Sequence, residues 1–139
     1  MRIILIFLIL LSNQIFAHVG MVKTIKNDVH IKRGYKIYPV KVGFLLNEDD
    51  IVITGKNSSV GIVFTDGTRL SLGSKSHIVI EKYIYEPEHN NFKFDLNMTK
   101  GKAMFESGKF GIMAPQKVKF KVPDGIIGID GTKFYVEVK

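Results

Sequence analysis

Histidines and carboxylates are the residues of this chain whose chemistry would matter most if they converged, and their spacing argues against it. His18, His30, His77 and His89 stand far apart, and no pair has the separation that places two metal ligands on one helix turn or one tight loop. Glu86, Glu88 and His89 are near enough to reach one ion together, but they sit in a polar connector that enforces no ligand geometry, so a solvated loop is the expectation. The run Glu48-Asp49-Asp50 lacks the alternate-position ligands and central glycine of a calcium loop and reads as a solvated turn. There is no cysteine, and no serine stands in a nucleophile-elbow setting. Gly125, Gly128 and Gly131 are not followed by a helix whose N-terminus would cradle a phosphate. Carboxylates paired by folding for glycoside chemistry are a tertiary matter, which leaves a hydrolase as a third reading behind two non-catalytic ones. No catalytic, cofactor-binding or metal-binding residue is assigned, and the expected protein is not an enzyme.

One charged pattern is regular. Lys117, Lys119 and Lys121 alternate with Val118, Phe120 and Val122, which on a strand places three cations on one face about 7 Å apart. Two readings follow: lysines that keep an exposed strand from pairing with other chains, or a contact for an anionic polymer such as an envelope glycan. Nucleic acid is not expected, because single-strand binders interleave aromatic side chains with the charge and here the apolar residues point the other way. Tyr83 and Tyr85 are expected on the exposed face of their strand, where they would join such a glycan contact.

These side chains must be carried by strands. Val60, Ile62 and Phe64 alternate with Gly61, Val63 and Thr65; Asp66-Gly67 interrupts; Leu70 and Leu72 then alternate with Arg69 and Ser71. That is a β-hairpin with a tight two-residue Asp-Gly turn. Asp130-Gly131-Thr132-Lys133-Phe134 repeats Asp66-Gly67-Thr68-Arg69-Leu70 in kind, either as a second use of a good turn or as an internal repeat. Short strands are expected at 19–23, 29–32, 36–40 and 50–54, a longer one at 77–85, its return at Phe92 to Leu96, then two around the Glu106-Ser107-Gly108 turn at 101–105 and 109–113. The lysine strand and a closing strand through Phe134, Val136 and Val138 complete the set. No helical periodicity persists beyond one turn after Phe16. Roughly ten strands with Gly and Asp-Gly turns predict an all-β antiparallel sandwich or jelly-roll-like barrel.

With 139 residues, 45% of them hydrophobic, the chain suits a single domain that needs no disulfide. The formal charge of +7 is basic enough for weak association with anionic polymers and names no partner. Met1-Arg2, the apolar run Ile3 to Leu11 and the step Ser12 to Ala17 have the order of a secretory signal cleaved after Ala17, with an uncleaved anchor as the alternative because Ile15 is bulky for its place. The expectation is a signal peptide at 1–17, a β domain at 18–139, no membrane span in the mature chain, and a periplasmic or secreted location.

Val42-Gly43, Asp50-Ile51, Thr54-Gly55, Ser58-Ser59, Phe64-Thr65-Asp66-Gly67-Thr68, Leu70-Ser71-Leu72-Gly73, Ser76, Lys100-Gly101, Pro123 and Ile127-Gly128-Ile129-Asp130-Gly131-Thr132-Lys133-Phe134 together resemble the FecR domain. The resemblance implies an extracytoplasmic all-β module that binds other proteins and carries no catalysis, with Asp66, Gly67, Thr68, Gly73, Gly128, Gly131 and Thr132 as structural signature residues. In the founding regulators a membrane helix passes the signal to a cytoplasmic segment. That relay is not expected here, since no such segment precedes the apolar run. An arginine is usual in the family where Asp130 stands, which reverses the charge at that turn.

Overall fold

Alternation of apolar and polar residues is realised as strand along most of the computed structural model, which describes residues 18–129 and 133–139. Ala17 with the expected signal segment, and Asp130, Gly131 and Thr132, lie outside the described residues. The strands are β1 (Gly20–Lys26), β2 (Val29–Arg33), β3 (Lys36–Pro39), β4 (Leu45–Leu46), β5 (Ile51–Thr54), β6 (Ser59–Phe64), β7 (Arg69–Leu72), β8 (His77–Glu86), β9 (Asn91–Glu106), β10 (Val118–Val122), β11 (Gly125–Ile127) and β12 (Lys133–Val138). A five-residue helix, α1 (Lys109–Met113), separates β9 from β10.

Among the described residues all pairings are antiparallel except β10 with β9. The main path runs β3-β2-β5-β8-β9-β7-β6-β1-β4, so β9 is the shared spine. Its first half lies between β8 and β10; its second half lies between β7 and β12. The sheet curls into a half-barrel. Inside the curl, Val22, Ile31, Leu46, Val52, Ile62, Leu70, Ile78, Ile80, Leu96 and Met98 are buried around two linked aromatic groups. Phe64, Tyr83, Phe94 and Phe110 form one, and Phe105, Phe120 and Phe134 the other, joined by a Phe94–Phe105 contact at 6.0 Å between ring centres.

The all-β expectation agrees with this architecture, and several local expectations do not. The two strands expected at Phe92–Leu96 and 101–105 are one strand of 16 residues, β9. Its inward parity changes from even positions (Phe94, Leu96, Met98) to odd ones (Ala103, Phe105) because the register against β8 slips between His77↔Lys100 and Ile78↔Met98. Such a bulge adds one residue to one strand and turns its side chains over. Segment 109–113, expected as a strand, is α1, because the chain leaves the sheet at Gly108 and Phe110 drops into the core. The two-residue strand β4 escapes a sequence reading, as it is too short to show alternation.

Gly101 sits at the β9 bulge with φ +102, and a Cβ there would collide with the backbone and side chain of Ser76. Gly34, at φ +61, has open space around the same position. Gly101→Ala should therefore cost roughly 2–3 kcal/mol and Gly34→Ala about 1 kcal/mol, read as the difference in denaturant midpoints of the two variants.

Candidate functional site

The signature turn differs from the predicted two-residue one. Strand pairing ends at Val63↔Arg69, the Phe64 amide donates to the Thr68 carbonyl at 2.8 Å, and the Gly67 amide donates back to the Phe64 carbonyl at 2.9 Å. This is a three-residue loop, Thr65-Asp66-Gly67, in which only Gly67 is left-handed, at φ +90. Asp66 is thus not selected for a positive φ. It is 2% exposed, and its carboxylate is an acceptor hub.

One carboxylate oxygen of Asp66 accepts from the Thr68 amide at 3.1 Å and the Tyr83 hydroxyl at 3.1 Å; the other accepts from the Thr68 hydroxyl at 2.6 Å and the Phe110 amide at 3.1 Å. The Asp66 backbone adds a bond from its own amide to the Tyr83 oxygen at 2.9 Å and takes one at its carbonyl from the Lys109 amide at 3.0 Å. The Gly108 amide donates to the Thr68 hydroxyl oxygen at 3.1 Å. One buried acid therefore ties the β6–β7 turn, β8 and the start of α1 together. Gly108 makes this possible, since a Cβ there would strike the backbone of residues 66 to 68 at 2.5 Å. Burial first, and the nearby Asp66 charge after it, hold the Tyr83 hydroxyl well above its ordinary pKa.

Tyr83 is consequently not an exposed glycan-facing residue: it is 7% exposed. Its strand carries a second register slip between Ile80 and Lys82, so the inward positions pass from Ile78 and Ile80 to Tyr83. Tyr85 is half-buried against Phe110 and Phe92.

The acidic run is likewise only partly a solvated turn. Asp50 is fully buried and accepts two bonds from the Arg33 guanidinium, both at 2.8 Å, plus the Asn47 amide at 2.8 Å. That hydrogen bonding raises the Arg33 pKa. Glu48 accepts the Tyr83 amide at 2.9 Å. A third knot joins loops through Ser76: its hydroxyl donates to the Gly73 carbonyl at 3.0 Å and receives the Lys102 amide at 3.0 Å, while the Thr54 hydroxyl bonds the Gly73 carbonyl at 2.6 Å.

The remaining candidates do not converge. Lys117 lies in a 3-10 turn ahead of β10, Lys119 is exposed opposite Asp95, and Lys121 bonds Glu81 at 2.8 Å, which raises the Lys121 pKa and lowers that of Glu81. His18 faces Asn47, His30 faces Asp28, and His77 faces Thr99. Among the described residues no three His, Asp or Glu side chains are grouped to hold a metal ion. An open cleft of about 510 Å3 lies beside the hub, lined by His18, Asn47, Glu48, Asp49, Tyr85 and Glu86 among others. A Cβ at Gly73 would stand 3.4 Å from the Lys102 Cβ, and one at Gly128 would meet open space.

The FecR protein family matches residues 50–139. The chain belongs to the FecR family. No curated protein and no solved structure gives a significant match. FecR domains are signalling and regulatory domains of the cell envelope rather than catalysts. The matched stretch opens on buried Asp50. Of the seven buried polar residues among the described ones, Asp50, Thr54, Ser58, Asp66, Thr68 and Ser76 fall among the residues that carried the resemblance, and Asp95 on β9 does not. The FecR pattern in this chain therefore includes a set of buried hydrogen-bonding side chains that fasten loops to strands. Sequence reading missed their partners Arg33, Tyr83, Gly108 and Phe110, which lie outside the quoted motifs.

Asp66→Ala strands the Thr68 and Phe110 amides and should cost on the order of 3 kcal/mol in chemical denaturation. The Tyr83 pKa is raised on folding, so its contribution is fully present below pH 10, the ordinary tyrosine value, and is lost as pH rises beyond it. The stability gap between the native chain and Tyr83→Phe, about 1 kcal/mol at neutral pH, should accordingly narrow above about pH 10.

Proposed function

We propose that this chain is an exported, non-catalytic FecR module that acts in envelope regulation by binding a protein partner, in the periplasm or outside the cell. The observation that carries this reading is the use made of α1. The Asp66 hub and buried Phe110 hold the helix in place, while Ile112 and Met113 on it are 84% and 48% exposed. Apolar side chains held in water on an anchored element suit protein recognition better than catalysis. The family's envelope role and the apolar leader ending at Ala17 support the location. Among the described residues no helix is long and apolar enough to cross a membrane. The engagement of Lys121 by Glu81 and the burial of Tyr83 favour this reading over the glycan contact.

Cross-linking in intact cells followed by affinity capture should recover a reproducible envelope protein with the native chain. Ile112→Glu should lose it while melting within a degree or two of the native protein, because an exposed substitution changes stability little. Salt-sensitive sedimentation with lipopolysaccharide, abolished by replacing Lys117, Lys119 and Lys121 and accompanied by no protein partner, would overturn this reading in favour of a polymer binder.

A further inference from the structure

The outer edges of this sheet are not alike. β3 has four residues and ends in Pro39, β4 has two residues, and β11 has three and follows Pro123. Short length and proline are common ways of blunting a strand edge against further pairing. β12 has none of these features. It is six residues long, contains neither proline nor glycine, and pairs with β9 without a slip from Lys133↔Glu106 to Val138↔Gly101. Among the described residues no strand pairs with its other side. Phe134, Val136 and Val138 point inward and remain half-buried, while Lys133, Tyr135 and Glu137 share the outer face, with Tyr135 75% exposed.

We propose that β12 pairs with β12 of a second copy of this chain, antiparallel, about a two-fold axis at Tyr135. The choice of occupant and of register comes from the strand's own residues. A two-fold axis normal to the sheet keeps each side chain on its own face, so only registers that pair odd positions with odd ones are allowed. With the axis at Tyr135, Lys133 of each copy stands opposite Glu137 of the other, Phe134 opposite Val136, and Tyr135 opposite Tyr135. The two outer charge pairs attract, and the inner aromatic and β-branched pairs extend the apolar layer of both cores. Moving the axis to Val136 sets Lys133 against Lys139, a like-charge pair, and leaves Glu137 facing Tyr135. The strand is thus charge-complementary to itself in one register and not in the next. This goes beyond the partner read above, which is placed at α1, and needs no other protein.

The test uses the purified full chain alone, followed by sedimentation equilibrium or light scattering across a concentration series. The native chain should form dimers. Lys133→Glu should weaken dimerisation by at least about tenfold, Glu137→Lys should do the same, and the double reversal should restore it, since charge pairs placed opposite each other across two strands are rebuilt with opposite sign. Far-ultraviolet circular dichroism of each single variant checks that the fold is kept. A chain that stays monomeric at all concentrations would overturn the proposal, as would a dimer that neither reversal weakens or one that the double reversal fails to restore.

Discussion

A single buried carboxylate accounts for much of how this domain is put together. Asp66 is out of water and surrounded by donors from three parts of the chain: its own turn, Tyr83 on β8, and the first turn of α1. Removing an acid from water is costly, and the cost is offset only when its lone pairs are filled with good geometry. Here they are filled by groups that would otherwise be unpaired as well. Past the last ladder pair the Thr68 amide finds its acceptor in the Asp66 carboxylate, and a five-residue helix has no intrahelical acceptor for its leading amides. Each element is too short to be stable alone, and the hub lets each complete the others.

The same arrangement recurs around the curl with different residues. Asp50 and Arg33 close the loop ahead of β5, and Ser76 with Thr54 closes the crossing where β9 bulges against β8. Between these polar knots the interior is aromatic and aliphatic, with Phe94 touching both ring groups. The division of labour is physical. Apolar burial supplies most of the stabilisation but is indifferent to direction, whereas hydrogen bonds to buried acids and hydroxyls specify which loop meets which strand. A family signature composed of such residues speaks about shape more than about chemistry. Among the elements that the signature positions is α1, with its outward Ile112 and Met113.

Much of the fold was legible in the residues, because period-two alternation is local and survives into the structure. The hairpin of β6 and β7, the inward set Val118 and Phe120, and the all-β class all follow from it. What alternation cannot carry past is a bulge. One inserted residue near Glu81 turned Tyr83 from an expected outward position into the interior, and a slip near Thr99 reversed the inward parity midway along β9, so that one strand reads as two. Segment 109–113 shows the opposite failure. Its sequence has no helical period, and its conformation comes from tertiary bonds to a turn some forty residues earlier. Lys121 and Asp50 carry a related lesson, since charges that look solvated along the chain find partners only when β8 and β2 are brought beside them.

Signature polar groups that fasten these loops should hold them as firmly as the sheet itself. Amide hydrogen exchange measures this most directly, residue by residue. The amides of Thr68, Phe110 and Lys102, bonded to Asp66 and Ser76, should exchange as slowly as those of Ile62 and Phe105 in the core strands. Exchange at those three positions as fast as at exposed loop residues such as Lys56 and Glu88 would contradict it, and would mean that the turn and α1 are held by apolar packing alone.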